Sequence, residues 1–173
     1  MRAALPAAPA AALAAVAALG GCGGSSQPAP QPQAPPHFVG TSPGGLGASI
    51  DFAGFDEARA PIERALAGVR PPATIALVAL VNTSDRPWPV PVFLGELADG
   101  RAVVLEPVRR ALGDRLDAAA RRARSLLPVA TLIPPDGSMT TYVALRGLRP
   151  SDLVGIRMRV GDAHPFELRS EGP

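Results

Sequence analysis

Alternating apolar and polar positions in the second half of the chain predict a domain built mainly of β-strands. Residues 74–81 form a continuous apolar run that ends at turn-forming residues, which is typical of a buried strand. Ile156, Met158 and Val160 alternate with arginines, the pattern of a strand with one buried face. Residues 139–145 alternate in a similar way. These segments predict short strands that pack around a shared core.

Three prolines mark an unusual strand over residues 88–97. Pro87, Pro89 and Pro91 are spaced by two, so they remove N–H donors from the same side of the strand. That part of the strand is therefore predicted to lie at a sheet edge or beside a bulge. Residues of the other parity are predicted to face the core: Trp88, Val90, Val92 and Leu94.

Turn signals separate the predicted strands. Asp99-Gly100 is a strong two-residue hairpin signal, and it predicts that the strand before it pairs with residues 101–105. The sequence PPDG at 134–137 predicts a second turn, because Pro presets φ and Gly takes a positive φ. Residues 38–48 are rich in glycine and are predicted to form a loop.

Two segments have helical spacing instead. Over residues 107–127, apolar positions recur at helical intervals and the arginines fall mostly between them, which predicts one amphipathic helix. Pro107 suits the first turn of this helix, and Gly113 is its weak point. A shorter helix is predicted over residues 56–68, with Asp56 as its N-cap.

The turn sequences resemble those of a known class of domain. The segments that carry the resemblance are NTSDRPWPV, ELADG, LIPPDGSMTTYVALRG and VGIRMRV, within residues 73–168. They are similar to the turns of immunoglobulin-like domains in bacterial exported lipoproteins. The resemblance implies that residues 38–173 form an immunoglobulin-like antiparallel β-sandwich, with the 107–127 helix as an insertion. It implies no enzyme, cofactor or defined ligand.

The N-terminal segment predicts export and lipid attachment. Residues 1–21 have one arginine followed by an apolar stretch rich in alanine, as in a signal peptide. LGGC at residues 19–22 resembles the lipobox of bacterial lipoproteins, which implies cleavage between Gly21 and Cys22 and acylation of the Cys22 thiol. Two or more acyl chains give stable anchoring. Gly23 in place of Asp implies the outer membrane if the source has two membranes.

A tether is predicted between the anchor and the domain. Residues 22–37 are rich in Gly, Ser, Pro and Gln and have no apolar pattern to bury, so they are predicted to hold the domain off the membrane. The alternative is an ordinary signal peptide with an incidental cysteine. Lipidation is favoured because Cys22 is the single cysteine and occupies the position that a lipobox requires.

Charge and motif content exclude several classes of function. The chain has 17 Arg, no Lys and 15 acidic residues, and its net charge of +2 gives no reason to expect a nucleic-acid partner. It has no nucleophile elbow, P-loop or dinucleotide fingerprint. One cysteine permits no disulfide or thiolate metal cage, and His37 and His164 are isolated. No catalytic residue, metal site or cofactor is therefore predicted.

The arginines of the predicted helix are the candidate partner surface. In one interpretation the helix packs its apolar face on the core and leaves the arginines in water. In the other, they contact lipid headgroups, an anionic envelope polymer or an envelope protein. The arginines concerned are Arg109, Arg110, Arg115, Arg121, Arg122 and Arg124.

Two classes of function stay open. The sequence favours a non-enzymatic envelope lipoprotein that acts as a binding or assembly module. The alternative is a small-ligand-binding protein or enzyme with a pocket between helix and sheet. A pocket lined by arginines and carboxylates from different strands would favour this alternative. Trp88 is interpreted either as a recognition residue or, as in many sandwich domains, as a buried core residue.

Overall fold

Eight antiparallel strands close into a barrel within residues 35–171, the part of the chain that the computed structural model describes. These residues contain ten strands in all: β1 (His37–Thr41), β2 (Leu46–Asp51), β3 (Ala73–Asn82), β4 (Trp88–Pro89), β5 (Val92–Leu97), β6 (Ala102–Pro107), β7 (Leu132–Ile133), β8 (Ser138–Arg146), β9 (Leu153–Arg159) and β10 (Phe166–Glu171). Around the barrel their order is β1, β10, β9, β5, β6, β8, β3, β2. Strands β4 and β7 form a separate two-stranded ribbon.

The closed barrel corrects the predicted immunoglobulin-like sandwich. Strand β1 pairs on both sides, since His37 lies opposite Asp51 of β2 and opposite Glu171 of β10. The segment 38–48 was predicted to be a loop, yet it supplies β1 and β2. Its glycines weaken the strand pattern, but Gly40 is needed where β1 meets β10. A Cβ at Gly40 would lie 2.8 Å from Leu168 Cδ2 and 3.1 Å from a main-chain oxygen.

The barrel interior is filled with apolar side chains from every strand around it. Strand β3 contributes Ala76, Val78 and Leu80, while Phe38 and Phe93 are the largest fully buried side chains. The alternation of Ile156 and Met158 with arginines in β9 is confirmed, because both apolar residues point inward. The mainly β prediction therefore holds, although the sheet closes on itself rather than forming two layers.

Three short helices cover the outside of β3, β6 and β8. They are α1 (Arg59–Leu66), α2 (Val108–Ala111) and α3 (Ala118–Leu126), and a 3-10 turn at Pro150–Asp152 precedes β9. Ile75 of β3 and Tyr142 and Ala144 of β8 face the helices and form a second apolar cluster with them. Strand β3 is thus buried on both faces for part of its length, which explains its continuous apolar run.

The single helix predicted over 107–127 is wrong. Pro107 belongs to β6, where it pairs with Val143, and α2 ends at Ala111. Gly113 has a φ of +54°, which a regular helix does not permit. The chain starts a new helix after Asp117, whose carboxylate accepts a hydrogen bond of 3.0 Å from the main-chain N–H of Ala120.

The strand predicted over 88–97 is divided into β4 and β5. Trp88 and Val90 pack against the core as predicted, but Val92 is 41% exposed and the neighbouring Phe93 is buried. The break at Pro91 shifts the parity, so Val92 and Leu94 do not face the core. The predicted edge position is confirmed, since β4 pairs with β7 alone. The predicted hairpin is confirmed at Gly100 between β5 and β6.

The predicted N-cap at Asp56 is wrong, because the N-cap of α1 is Ala58, but the Asp56 side chain still contacts the start of the helix. The Asp56 carboxylate accepts hydrogen bonds from the N–H groups of Ala58 (2.8 Å) and Arg59 (3.1 Å). The hydroxyl of Tyr142 donates to the same oxygen. The helix begins at Arg59, three residues later than predicted, and this cluster fastens it to β8.

Because the Tyr142 hydroxyl is buried, we expect the protein to lose stability in alkaline solution. Burial raises the pKa of Tyr142 above its ordinary value of 10.0, and the Asp56 carboxylate raises it further. The folded state thus holds this proton more tightly than the unfolded state. The free energy of unfolding should be constant just below pH 10 and fall above it, as unfolded tyrosine ionises. Denaturant titrations at several pH values measure this slope.

Tyr142→Phe is the matched variant for that slope. The chain has no lysine and no other tyrosine, so a Cys22→Ala background leaves no other side chain titrating near pH 10. The double variant should lose the slope, together with about 1 kcal/mol of stability from the missing hydrogen bond. The same alkaline slope in Tyr142→Phe would contradict this role.

Candidate ligand-binding site

An apolar pocket of about 370 Å³ lies at one end of the barrel. Three loops form it: residues 42–45 between β1 and β2, residues 83–87 after β3, and residues 160–165 between β9 and β10. The antiparallel registers bring these loops to the same end of the barrel. The principal lining residues are Pro43, Arg86, Trp88, His164, Pro165 and Phe166. We call this cavity the barrel-end pocket.

Asn82 at the end of β3 holds the pocket wall in place. Its side chain is 1% exposed, and its Nδ2 donates to the carbonyls of Arg86 (2.7 Å) and Pro134 (2.8 Å). Its Oδ1 accepts from the Ser84 hydroxyl at 2.7 Å, and that hydroxyl accepts from Trp88 Nε1 at 2.9 Å. This relay fixes the indole plane, so the sequence NTSDRPW builds one wall of the pocket.

Arg86 and Gly44 pack against Trp88. The guanidinium carbon of Arg86 lies 4.4 Å from the centre of the indole ring, within the range of a cation–π contact. Gly44 approaches the ring so closely that a Cβ there would lie 2.5 Å from Trp88 Cζ2. Trp88 is half-buried, with one part against the core and another lining the pocket. It is therefore a partly buried core residue that also lines a pocket, and its role in recognition stays a prediction.

A second cavity of about 420 Å³ lies on the outer face of β5, β9 and β10. Glu96, Arg157, Glu167 and Arg169 line it, so it joins arginines and carboxylates from different strands. The nitrogen Arg157 Nε lies 3.7 Å from an oxygen of Glu96, and the four charges balance. A pocket lined by arginines and carboxylates from different strands was expected of the alternative function, a small-ligand-binding protein or enzyme. This groove has such a lining, although it lies away from the helices.

A third cavity of about 340 Å³ lies between α2 and the sheet, where the alternative function placed a pocket. Its lining is mostly apolar and includes Val90, Val108, Leu127 and Met139. Arg109 also lines it, and no carboxylate does. This cavity offers apolar contact but few polar groups that could orient a ligand.

The six arginines of the predicted partner surface are divided by the structure. The side chains of Arg109, Arg115, Arg121 and Arg124 donate to main-chain carbonyls around the helix ends. Arg109, for example, donates to Leu127 O at 2.8 Å and so ties α2 to the end of α3. Arg110 and Arg122 are exposed and make no side-chain hydrogen bond within residues 35–171. Partner binding by these arginines stays a prediction.

The remaining predicted residues lie elsewhere. Gly21 and Cys22 are outside the described residues. His37 is in β1 rather than in a tether, and its Nε2 lies 2.8 Å from Ser49 Oγ, with Glu171 at 3.6 Å from Nδ1. His37, Ser49 and Glu171 do not line any of the three cavities described above.

Neither a metal site nor a membrane-spanning helix is found among the residues that the structure describes. Between residues 35 and 171, no three His, Cys, Asp or Glu side chains lie together as a metal site requires. In the same part of the chain, no helix has the length and apolar character needed to cross a membrane.

Three pocket residues were not among the predicted site residues: Arg86, His164 and Phe166. Each lies in or beside a loop where a proline neighbours an aromatic residue, in the sequences RPWP and HPF. Aromatic residues next to prolines in separate loops are a weak sequence signal for a binding site, because only the closed barrel brings the loops together.

Comparison with known proteins adds little. No protein-family model matches the sequence, and no curated protein matches it. Among solved structures, the chain is similar to a conserved hypothetical protein from Bacillus anthracis, at 6% identity and a TM-score of 0.38. The match covers 77% of this chain and 96% of that one. Similarity at this level carries no argument about the function of this chain.

Gly44→Ala should displace the indole of Trp88. The added Cβ would overlap Cζ2, and overpacking of this kind costs about 1–3 kcal/mol. Since Trp88 is the single tryptophan, its fluorescence emission should shift to longer wavelength. Gly155→Ala is the matched control, because nothing lies within 4 Å of a Cβ there. Identical emission from the two variants would contradict the close packing at Gly44.

Asn82→Ala should destabilise the barrel much more than Ser84→Ala. The first change removes the Nδ2 donor from the carbonyls of Arg86, Ile133 and Pro134 and opens a small cavity, at a cost of about 3 kcal/mol. The second removes the link to Trp88 Nε1 and should cost about 1 kcal/mol. Chemical denaturation measures both changes. Equal, small losses would show that Asn82 is not a central contact.

Proposed function

We propose that the chain is an envelope lipoprotein, anchored through lipid on Cys22, whose barrel binds a ligand in the barrel-end pocket. The observation that carries the proposal is that the chain enters the barrel at the end opposite this pocket. Strand β1 begins at His37, next to Asp51 and Glu171, and reaches the pocket loops only after Thr41. An N-terminal anchor therefore leaves the pocket unobstructed.

Chain lengths support this arrangement. Five residues of β1 separate the entry point from the pocket loops, which corresponds to about 16 Å of extended strand.

The lining of the pocket favours binding over catalysis. It is formed mainly by proline and aromatic side chains, with a few polar groups that could orient a ligand. Ser42 and His164 both line it, but no hydrogen bond joins them in the part of the chain described here. An activated nucleophile requires such a contact with a base. An envelope protein or anionic polymer as an additional partner at Arg110 and Arg122 is compatible with this role.

Cys22→Ala tests the anchor. The wild-type protein should incorporate a fatty-acid probe and float with membranes, whereas Cys22→Ala should do neither and should remain folded by circular dichroism. Labelling of the variant would contradict lipidation at Cys22.

Accessibility of Trp88 tests the position of the pocket on the same two proteins. A water-soluble quencher should quench Trp88 equally well in the vesicle-bound wild type and in the free variant. Protection of Trp88 by the vesicles would show that the pocket end faces the membrane.

A further inference from the structure

The apolar part of the barrel-end pocket can hold one small apolar group. Trp88, Phe166 and Pro165 provide flat apolar surfaces, and Pro43 lies on the loop between β1 and β2. A volume of about 370 Å³ is within the range of small-molecule sites. A short alkyl chain or the last side chain of a peptide would fit such a space.

Arg86 adds a positive charge that the protein itself does not neutralise. Within residues 35–171 its guanidinium pairs with no Asp or Glu side chain and donates no hydrogen bond to another residue. The cation–π contact with Trp88 is not a hydrogen bond, so the N–H groups of the guanidinium can still donate to a ligand. These donors are matched to a carboxylate.

No negative charge competes for this position. The pocket lining contains no Asp or Glu, and the acidic residues of the same loops, Asp85 and Asp162, lie outside it. The pocket thus joins an apolar cavity to an uncompensated cation.

We infer that the barrel-end pocket binds the carboxylate of a small amphipathic molecule, with the apolar part against Trp88 and Phe166. The inference rests on the proposed function, whose pocket it uses. The carboxylate could belong to a free alkyl acid or to the C-terminus of a peptide that ends in an apolar residue. Arg86 would donate to the carboxylate in either case.

Calorimetric titration of the full chain carrying Cys22→Ala tests the inference. The probes are octanoate and octanol, which differ in charge, and a short peptide ending in leucine as its free acid and as its amide. Either octanoate should bind at least about tenfold more tightly than octanol, or the free-acid peptide should bind at least about tenfold more tightly than its amide. The pair that shows this difference identifies the source of the carboxylate.

Arg86→Met removes the charge while keeping an apolar side chain over Trp88. It should bring the affinity ratio of acid to neutral probe close to one, whereas Arg122→Met, an exposed control, should leave the ratio unchanged. Phe166→Ala should weaken the acid and the neutral probe alike. Trp88 fluorescence, recorded in the same titrations, locates the binding.

The outcomes separate the two proposals. Equal affinity for acid and neutral probes in the wild type, or an unchanged ratio in Arg86→Met, would overturn the inference and leave the pocket as an apolar site. If no probe binds or changes the Trp88 signal, both the inference and the pocket of the proposed function are overturned.

Discussion

The buried amide of Asn82 is the contact on which the functional end of this barrel depends. It lies where β3 leaves the barrel, and it satisfies main-chain carbonyls from the two segments that cross there, at Arg86 and Pro134. An unpaired carbonyl in that position would cost about 1–3 kcal/mol, so the amide holds the two segments together. Through Ser84 the same side chain orients Trp88. One structural side chain therefore connects the core to the pocket wall.

Closure of the barrel has a comparable role for the pocket as a whole. Strand β1 removes both free edges by pairing with β2 and β10, and this brings the loop at 42–45 beside the loop at 160–165. An open sandwich would not bring these loops together in the same way. Glycine at position 40 permits the close approach of β1 to β10, and glycine at position 44 permits that of the hairpin to Trp88. The helices cover the outside of β3, β6 and β8, and four arginines in and between α2 and α3 donate to main-chain carbonyls there.

The sequence predicted strands β3 and β9 because their apolar patterns follow their burial. The arginines of β9 alternate with buried side chains, and the apolar run of β3 reflects burial on both faces for part of its length. Prediction was wrong where long-range contact decides the structure: β1 and β2 are strands because they pair, although their glycines favour a loop. The helix over 107–127 had a regular apolar period, yet Gly113 and the cap at Asp117 divide it. The pocket was not predictable, because its residues come from three loops that only the closed barrel joins. Lipid attachment at Cys22 stays a prediction.

The central claim is that the Asn82 relay holds Trp88 as the wall of a ligand pocket. The most direct measurement is the indole N–H signal of this single tryptophan in the nuclear magnetic resonance spectrum of the nitrogen-15-labelled chain. The claim predicts one indole signal that exchanges slowly with water, owing to its bond to Ser84, and that moves when octanoate or the free-acid peptide is added. An indole proton that exchanges as fast as free indole, or a signal that stays in place while signals elsewhere in the barrel move, would contradict it.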